Sequence, residues 1–484
     1  MSRKVRSKYD ASLQGDGTGQ VPAEVDPRPG RVVRMENGKA LRKACPRSSH
    51  AEVGVDNESR DPLAMIEESN GDRVLGLLPV RYGRMSESAF AFFRGTANLQ
   101  AHDLRSAPSS GIIVQNCGDC HLMNFGGFAS PERTLLFDIT DFDETLPAPF
   151  EWDVKRLAAS FVVAARWLGF EAKACREVAA AVVASYRKQV ARFATMRALE
   201  VWYDRVTAEA LLHEFAIDPE IFKRLTRVVE RAEQNTSEHV FHKITHEENG
   251  RVRITDQPPL LFHVDGSMLD VDRVVSPFFE AYRATLREDY RALYDRFHFA
   301  DVAFKVVGVG SVGTYSFVAL FLSDKDDPLF LQVKQARASV LEGASPMPRW
   351  ANNGARIVVG QRLMQSASDI FLGWSRAEGE RDFYVRQLRD MKVATDLTGF
   401  TPMLLTHYAQ VCGHVLARAH SKAGDAATIA GYLGTGTAFD DAAAKYAVAY
   451  ADQVERDYES FKGGIRSGRF ATNVTGSGVE RILR

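Results

Sequence analysis

Two short stretches, far apart in the chain, hold side chains of the kind that phosphoryl transfer needs. The first is "GDCHLMNFGGFASPERTLLFDITDFDE" (118–144), which contains Asp119, His121, Asn124, Asp138, Asp141 and Asp143. Asp119 falls just beyond a short apolar strand expected over "GIIVQN" (111–116), and Asp138 and Asp141 fall at the end of a second. A carboxylate on such a loop can orient an attacking hydroxyl and take its proton. An amide oxygen and a second carboxylate can hold Mg²⁺ against nucleotide phosphates. The second stretch runs Gly308-Val-Gly310-Ser311-Val-Gly313-Thr314 and is followed by Lys334, at the end of "LFLQVK". Glycines let backbone N–H groups approach phosphates, and a strand lysine can contact the α- and β-phosphates. The text after the glycines, "TYSFVALFL", is β-branched and aromatic. That puts them at a hairpin tip and not at a helix start, where a dinucleotide-binding fingerprint would need them.

These residues need scaffolding on both sides. Residues 1–60 are rich in Gly, Pro, Ser, Arg and Asp without apolar periodicity and read as a largely disordered lead. From 61 to 300 the text is mainly helical and carries the Asp119 loop. Its strongest helix is expected over 152–170. Residues 301–395 read as a β-rich unit: three strands, a helix over 355–367, and a hairpin of "DIFLGWS" and "RDFYVRQLRDM" with a hinge near "RDMK". Residues 396–465 return to helix, and 466–484 form a loose tail.

On these residues the chain resembles the catalytic core of aminoglycoside phosphotransferases and choline kinases. Those families show H-G-D-x-H-x-x-N, a strand ending in I-D-F, and a later D-L-A helix start. By this resemblance Asp119 matches the catalytic aspartate, His121 the loop histidine, Asn124 the metal-binding asparagine, and Asp153 with "VKRLA" the later helix start. Spacing back from Asp153 makes Asp141 the metal aspartate, whereas spacing forward from Asn124 makes it Asp138. Cys117 stands where those families usually carry histidine.

The resemblance implies ATP and Mg²⁺ and an α+β, protein-kinase-like two-lobed fold. The lobes come in the reverse of the usual order, so a circular permutation is expected. One part is missing: the helix after Lys334 offers Gln361 and Gln365 but no glutamate to pair with the lysine. A catalytically inactive nucleotide binder therefore stands beside the enzyme. From about residue 40 to 460 the chain also resembles one bacterial family, the domain-of-unknown-function family numbered 2252, through "RYGRMSESAFAFFRG", "CGDCHLMNFGGF" and "FLQVKQARASVLE" among other segments. That likeness implies no activity.

Other chemistries fit less well. Cys117-Gly-Asp-Cys120-His121 spells the haem-attachment pattern C-x-x-C-H, but no export signal is recognisable at the N-terminus. A metallophosphatase would also start with G-D-x-H, yet its downstream G-D-x-x-D, G-N-H and G-H-x-H are lacking. Five cysteines suggest no disulfide framework and fit a reducing cytoplasm. A net charge of -1 argues against a nucleic-acid binder, and no apolar run is long enough for a membrane span. Two arginine groups, Arg81, Arg84 and Arg94 before the loop and Arg362, Arg381, Arg386 and Arg389 in the β-rich unit, could hold phosphate or an acidic substrate if they face a cleft.

Overall fold

The computed structural model describes residues 28–55, 60–214, 219–234, 237–264, 269–324, 327–377, 379–388, 393–476 and 478. The architecture is α+β. The expected hinge at 389–392 and most of the expected disordered lead, residues 1–27, lie outside the described residues.

A helical body is built around Phe150–Trp167, buried from Phe150 to Ala165. A helix apolar on every side must be enclosed. Here the enclosing helices include Ala172–Phe193, Pro402–Ala423 and Ala438–Arg466, which share one core with it. Small strands on this body carry the Asp119 loop. β1 (Ile113–Asn116) pairs with β4 (Leu146–Pro149), and β2 (Phe125–Ala129) pairs with β3 (Leu135–Ile139). The hairpin of β5 (Thr245–Glu248) and β6 (Arg251–Ile254) follows.

The β-rich unit is a six-stranded antiparallel sheet. It uses β7 (Leu261–Phe262), β8 (His298–Lys305), β9 (Ser316–Leu322), β10 (Pro328–Ala336), β11 (Gly373–Arg376) and β12 (Asp382–Gln387), in the order β11-β12-β10-β9-β8-β7. Strand alternation splits its side chains between two faces. Phe317, Ala319 and Phe321 enter one core with Leu329, Leu331 and Val333, while Val318, Leu320 and Phe330 enter another. Continuing along β10 on the Phe330 face come Gln332 and Lys334, so that face turns polar at its end.

Two expected boundaries move. Residues 31–40 form a helix, and Met35 packs so closely on the helix Ala426–Leu433 that a Cβ at Gly431 would lie 2.0 Å from its carbonyl oxygen. That part of the lead belongs to the helical body. The sheet unit also starts before 301. The helices Ser276–Ala284 and Glu288–Tyr294 lay Phe279 and Tyr294 against Phe321, with ring centroids 4.9 and 5.4 Å apart. In the expected loose tail, Phe470 is buried against Tyr82 and Phe461. Among the described residues, no helix is long and apolar enough to cross a membrane.

Candidate active site

The Asp119 loop is held mainly through its backbone. The first turn of Phe150–Trp167 grips both ends of β1. Glu151 accepts from the Ser110 backbone N–H (2.6 Å) before the strand, and Asp153 accepts from the Cys117 and Gly118 N–H groups (2.8 and 3.0 Å) after it. His420 Nε2 lies 3.2 Å from the same Asp153 carboxylate, which is buried. Gly118 has φ +89°, and a Cβ there would lie 2.3 Å from the Glu144 carbonyl oxygen. Only glycine fits both the left-handed backbone and the contact with the Asp143–Glu144 segment.

Within the loop, the Asn124 side-chain N–H donates to the Asp119 carbonyl (2.8 Å), which leaves Asn124 Oδ1 as the atom able to take a ligand. Asp119 Oδ1 accepts from Arg156 Nε at 2.5 Å, and Arg156 is fixed in turn by Gln100 and the Phe93 carbonyl. Asp119 Oδ2 faces His121 Nε2 at 3.8 Å. Burial drives the His121 imidazole down to about 3, so it is neutral at ordinary pH.

The sheet supplies the opposite wall. Lys334 and Tyr384 are cross-strand partners on β10 and β12, as are Gln332 and Arg386. All four side chains project from one face. Lys334 Nζ meets Asp143 Oδ2 at 2.7 Å, and the Tyr384 hydroxyl donates to Asp143 Oδ1 at 2.6 Å. Arg386 bonds Gln332 and the Thr140 carbonyl. Asp141 accepts from the Asp143 N–H at 3.1 Å. The carboxyls of Asp141 and Asp143 are pushed apart in acidity. Burial and the Asp143 charge raise Asp141. Burial also works against ionised Asp143, but Lys334 and the Tyr384 hydroxyl outweigh it and bring Asp143 to about 2.

The glycine loop Gly308–Thr314 sits at the β8–β9 hairpin tip, as expected from the text that follows it, and folds onto the helical body. Ser311 Oγ donates to Asp143 Oδ2 (3.2 Å). Arg73 donates to the Val312 and Gly310 carbonyls, and the Val74 N–H to the Gly313 carbonyl (2.7 Å). Two N–H groups of the loop, those of Ser311 and Thr314, are spent on loop carbonyls.

Around these groups lies a cavity of about 1120 Å³. Asp119, His121, Asn124, Asp141, Asp143, Gly308, Gly310, Ser311, Thr314 and Lys334 all line it. Asp138 and Asp153 do not. Asp138 corrects one of the two expected metal positions: on β3 it points into the core, where Arg418 (2.8 and 2.9 Å) and the Ser366 N–H and hydroxyl take up its carboxylate. Gly313 is at the back of its loop, against the Arg73 side chain.

Four features escaped the sequence. Lys334 is held by Asp143, 191 residues away in the chain. In the expected place of a glutamate, the helix Asn353–Met364 offers Arg356, which donates to the Asp143 and Thr145 carbonyls. Tyr384 depends on strand register, which no motif announces. Arg156 alone had a local signal: it stands one helical turn beyond Asp153, in "WDVKR".

The two cysteines of the loop are buried, and burial raises both thiols, Cys120 to about 11. Their sulfurs and an Asp153 oxygen lie within 4.8 Å of one another. Asp153 is already committed to two N–H groups and His420, so the cluster serves to hold the loop. Of the second arginine group, Arg386 lines the cavity, Arg362 donates to the Leu372 carbonyl, Arg381 stacks on Tyr315, and Arg389 lies outside the described residues.

No curated protein and no solved structure matches the chain. A family model does match, over residues 73–463, and the chain therefore belongs to the family described as "Uncharacterized protein conserved in bacteria (DUF2252)".

Proposed function

We propose that the protein is an ATP- and Mg²⁺-dependent phosphotransferase of permuted kinase-like fold, acting on a hydroxyl acceptor in the cytoplasm. The observation that carries this reading is the meeting of Lys334 with the Asp141–Asp143 loop, beside Asp119 and Asn124, on one cavity. The donors suit a hard divalent cation: Asn124 Oδ1 and the Asp141 carboxylate are oxygens only, and a cation there would offset the burial and the Asp143 charge that raise Asp141. Bound there, Mg²⁺ would supply charge neutralisation on the phosphates.

The chain's own groups do the rest. Arg156 fixes Asp119 so that Oδ2 is the oxygen left for the acceptor. Asp119 Oδ2 orients the hydroxyl and takes its proton as the acceptor oxygen bonds to the γ-phosphorus. The bond from that phosphorus to the β,γ-bridging oxygen breaks, and ADP leaves. Lys334 is already poised at the phosphate side of the cavity by Asp143 and Tyr384.

The test is calorimetric titration of the full chain with ATP, with and without Mg²⁺. Binding is expected only with the metal and is lost in Asp141→Ala. Asp119→Asn is expected to bind Mg²⁺–ATP and to transfer no labelled phosphate in an acceptor screen. Absence of Mg²⁺-dependent ATP binding would overturn the reading. A second reading, a catalytically inactive nucleotide binder, is favoured by one feature: Ser311 and Lys334 both close on Asp143, so the phosphate-side groups are turned on one another. Transfer that depends on Asp119 would exclude it.

A further inference from the structure

Among the cations that line the cavity, Lys334 and Arg386 are the ones whose charge bears on Asp141 and Asp143. A separate group, Arg73, Arg81, Arg84 and Arg94, also lines it and is supplied by residues 73–94. Their hydrogen bonds go to neutral acceptors. Arg73 bonds carbonyls of the glycine loop, Arg81 the Asn70 amide oxygen and the Gly95 carbonyl, and Arg84 the Val307 carbonyl. Arg94 has no hydrogen-bond or ion-pair partner among the described residues, and its Nε is buried; its guanidinium lies 5.8 Å from the centre of the Phe90 ring. The buried Arg81 Nε is likewise unpartnered.

Arg81 is buried, whereas Arg73, Arg84 and Arg94 are partly exposed to the cavity. A buried N–H without an acceptor, as at the Nε of Arg81 and of Arg94, carries its whole desolvation cost. Here burial lowers all four guanidiniums, and Arg81 and Arg337 lower Arg73 further by repulsion. An oxyanion in the cavity would answer both deficits, since guanidinium forks match phosphate and carboxylate oxygens. Its position follows from Arg94, which lines the cavity with Asp119 and His121 and whose charge acts on both. On the phosphotransferase reading, Asp119 marks the acceptor's place in that cavity.

We propose that Arg94 and Arg84 form an oxyanion subsite beside Asp119, and that the acceptor is therefore a hydroxyl compound carrying a phosphate or carboxylate group. The acceptor assignment rests on the phosphotransferase reading; the anion site itself does not.

The experiment is calorimetric titration of the full chain with inorganic phosphate, and separately with malonate, without metal or nucleotide. The titration is then repeated with a saturating non-hydrolysable ATP analogue and Mg²⁺. Binding of one or both anions is expected, it should persist with the analogue bound, and the tighter of the two names the acceptor's group. Arg94→Gln is expected to weaken it at least tenfold and Arg94→Lys less, with thermal unfolding showing that each variant is folded. If Arg94→Gln does not fold, Arg84→Gln with Arg94→Lys carries the comparison. Three results would overturn the proposal: no anion binding, binding indifferent to Arg94 and Arg84, or displacement by the analogue, which would make the site the nucleotide's own. Anion binding through Arg94 in a protein that fails to bind Mg²⁺–ATP would leave the anion site standing and remove the acceptor assignment. Mg²⁺–ATP binding without anion binding would do the reverse, sinking the subsite alone.

Discussion

Asp138 and Asp141 are three residues apart and have different surroundings. Asp138 is sealed in the core against Arg418, whereas Asp141 lines the cavity beside a second carboxylate. Asp138→Asn leaves a fully buried guanidinium without its counter-ion and is expected to cost about 3–5 kcal/mol of stability. Asp141→Asn removes a repelled, raised carboxyl and is expected to leave stability unchanged or slightly higher while abolishing metal binding. Chemical denaturation of the two variants checks this, and equal losses would contradict it. On the proposed reading, the same raised carboxyl would give metal binding a pH dependence. Below its folded value, the cation must displace a proton from Asp141, so affinity falls as pH falls. Mn²⁺ titration is expected to show weaker binding at about pH 5 than at about pH 8, to a greater degree than an ordinary carboxylate near 3.9 would give.

At the scale of elements, the site depends on how the first turn of Phe150–Trp167 and the Asp143–Glu144 segment close around Gly118. A methyl group at Gly118 adds a left-handed backbone penalty to a collision with the Glu144 carbonyl. Gly111 has φ +73° with open space around its Cβ position, so it isolates the backbone penalty. Gly111→Ala is expected to cost about 1 kcal/mol and Gly118→Ala roughly 2 kcal/mol or more, with metal binding lost only in the second. Similar denaturation midpoints for the two would refute the packing argument. The loop's place after a strand was legible because "GIIVQN" is short, apolar and bounded by turn residues. The pairing of Lys334 with Tyr384 was not, because register is set by which neighbouring strand is adjacent and not by either strand's text.

Across the whole molecule, one acidic segment of the helical body gathers several of the polar contacts that the sheet unit makes with it. Lys334 and Tyr384 hold Asp143, Arg386 holds the Thr140 carbonyl, and Arg356 holds the carbonyls of Asp143 and Thr145. Asp143→Asn leaves Lys334 buried without its ion pair and is expected to cost about 3 kcal/mol near neutral pH. That is the low end for a broken buried pair, since the Asp143 side chain is 25% exposed to the cavity. Because the folded Asp143 carboxyl is depressed to about 2, its stabilisation is complete above the ordinary value near 3.9 and is lost as pH falls through about 2. The stability gap between the natural chain and Asp143→Asn should therefore shrink from about pH 6 to about pH 2.5; a constant gap would remove the ion pair from the account.

The sequence by itself determined the mixed α+β class, the main helices and strands, and the two stretches that line the cavity. Each of these is a local matter: helical periodicity, strand alternation and glycines at a hairpin tip are written within a few residues of one another. Only the tertiary structure decided which of the two strand-end aspartates faces solvent, what holds Lys334, and where the helical body ends and the sheet unit begins. Those outcomes depend on which side of β3 is buried and on residues such as Asp143, Arg418 and Phe279, whose partners lie far away in the chain. A carboxylate in the text is the same letter whether it meets an arginine in the core or a lysine across a cavity; burial and the opposing charge decide which chemistry it has.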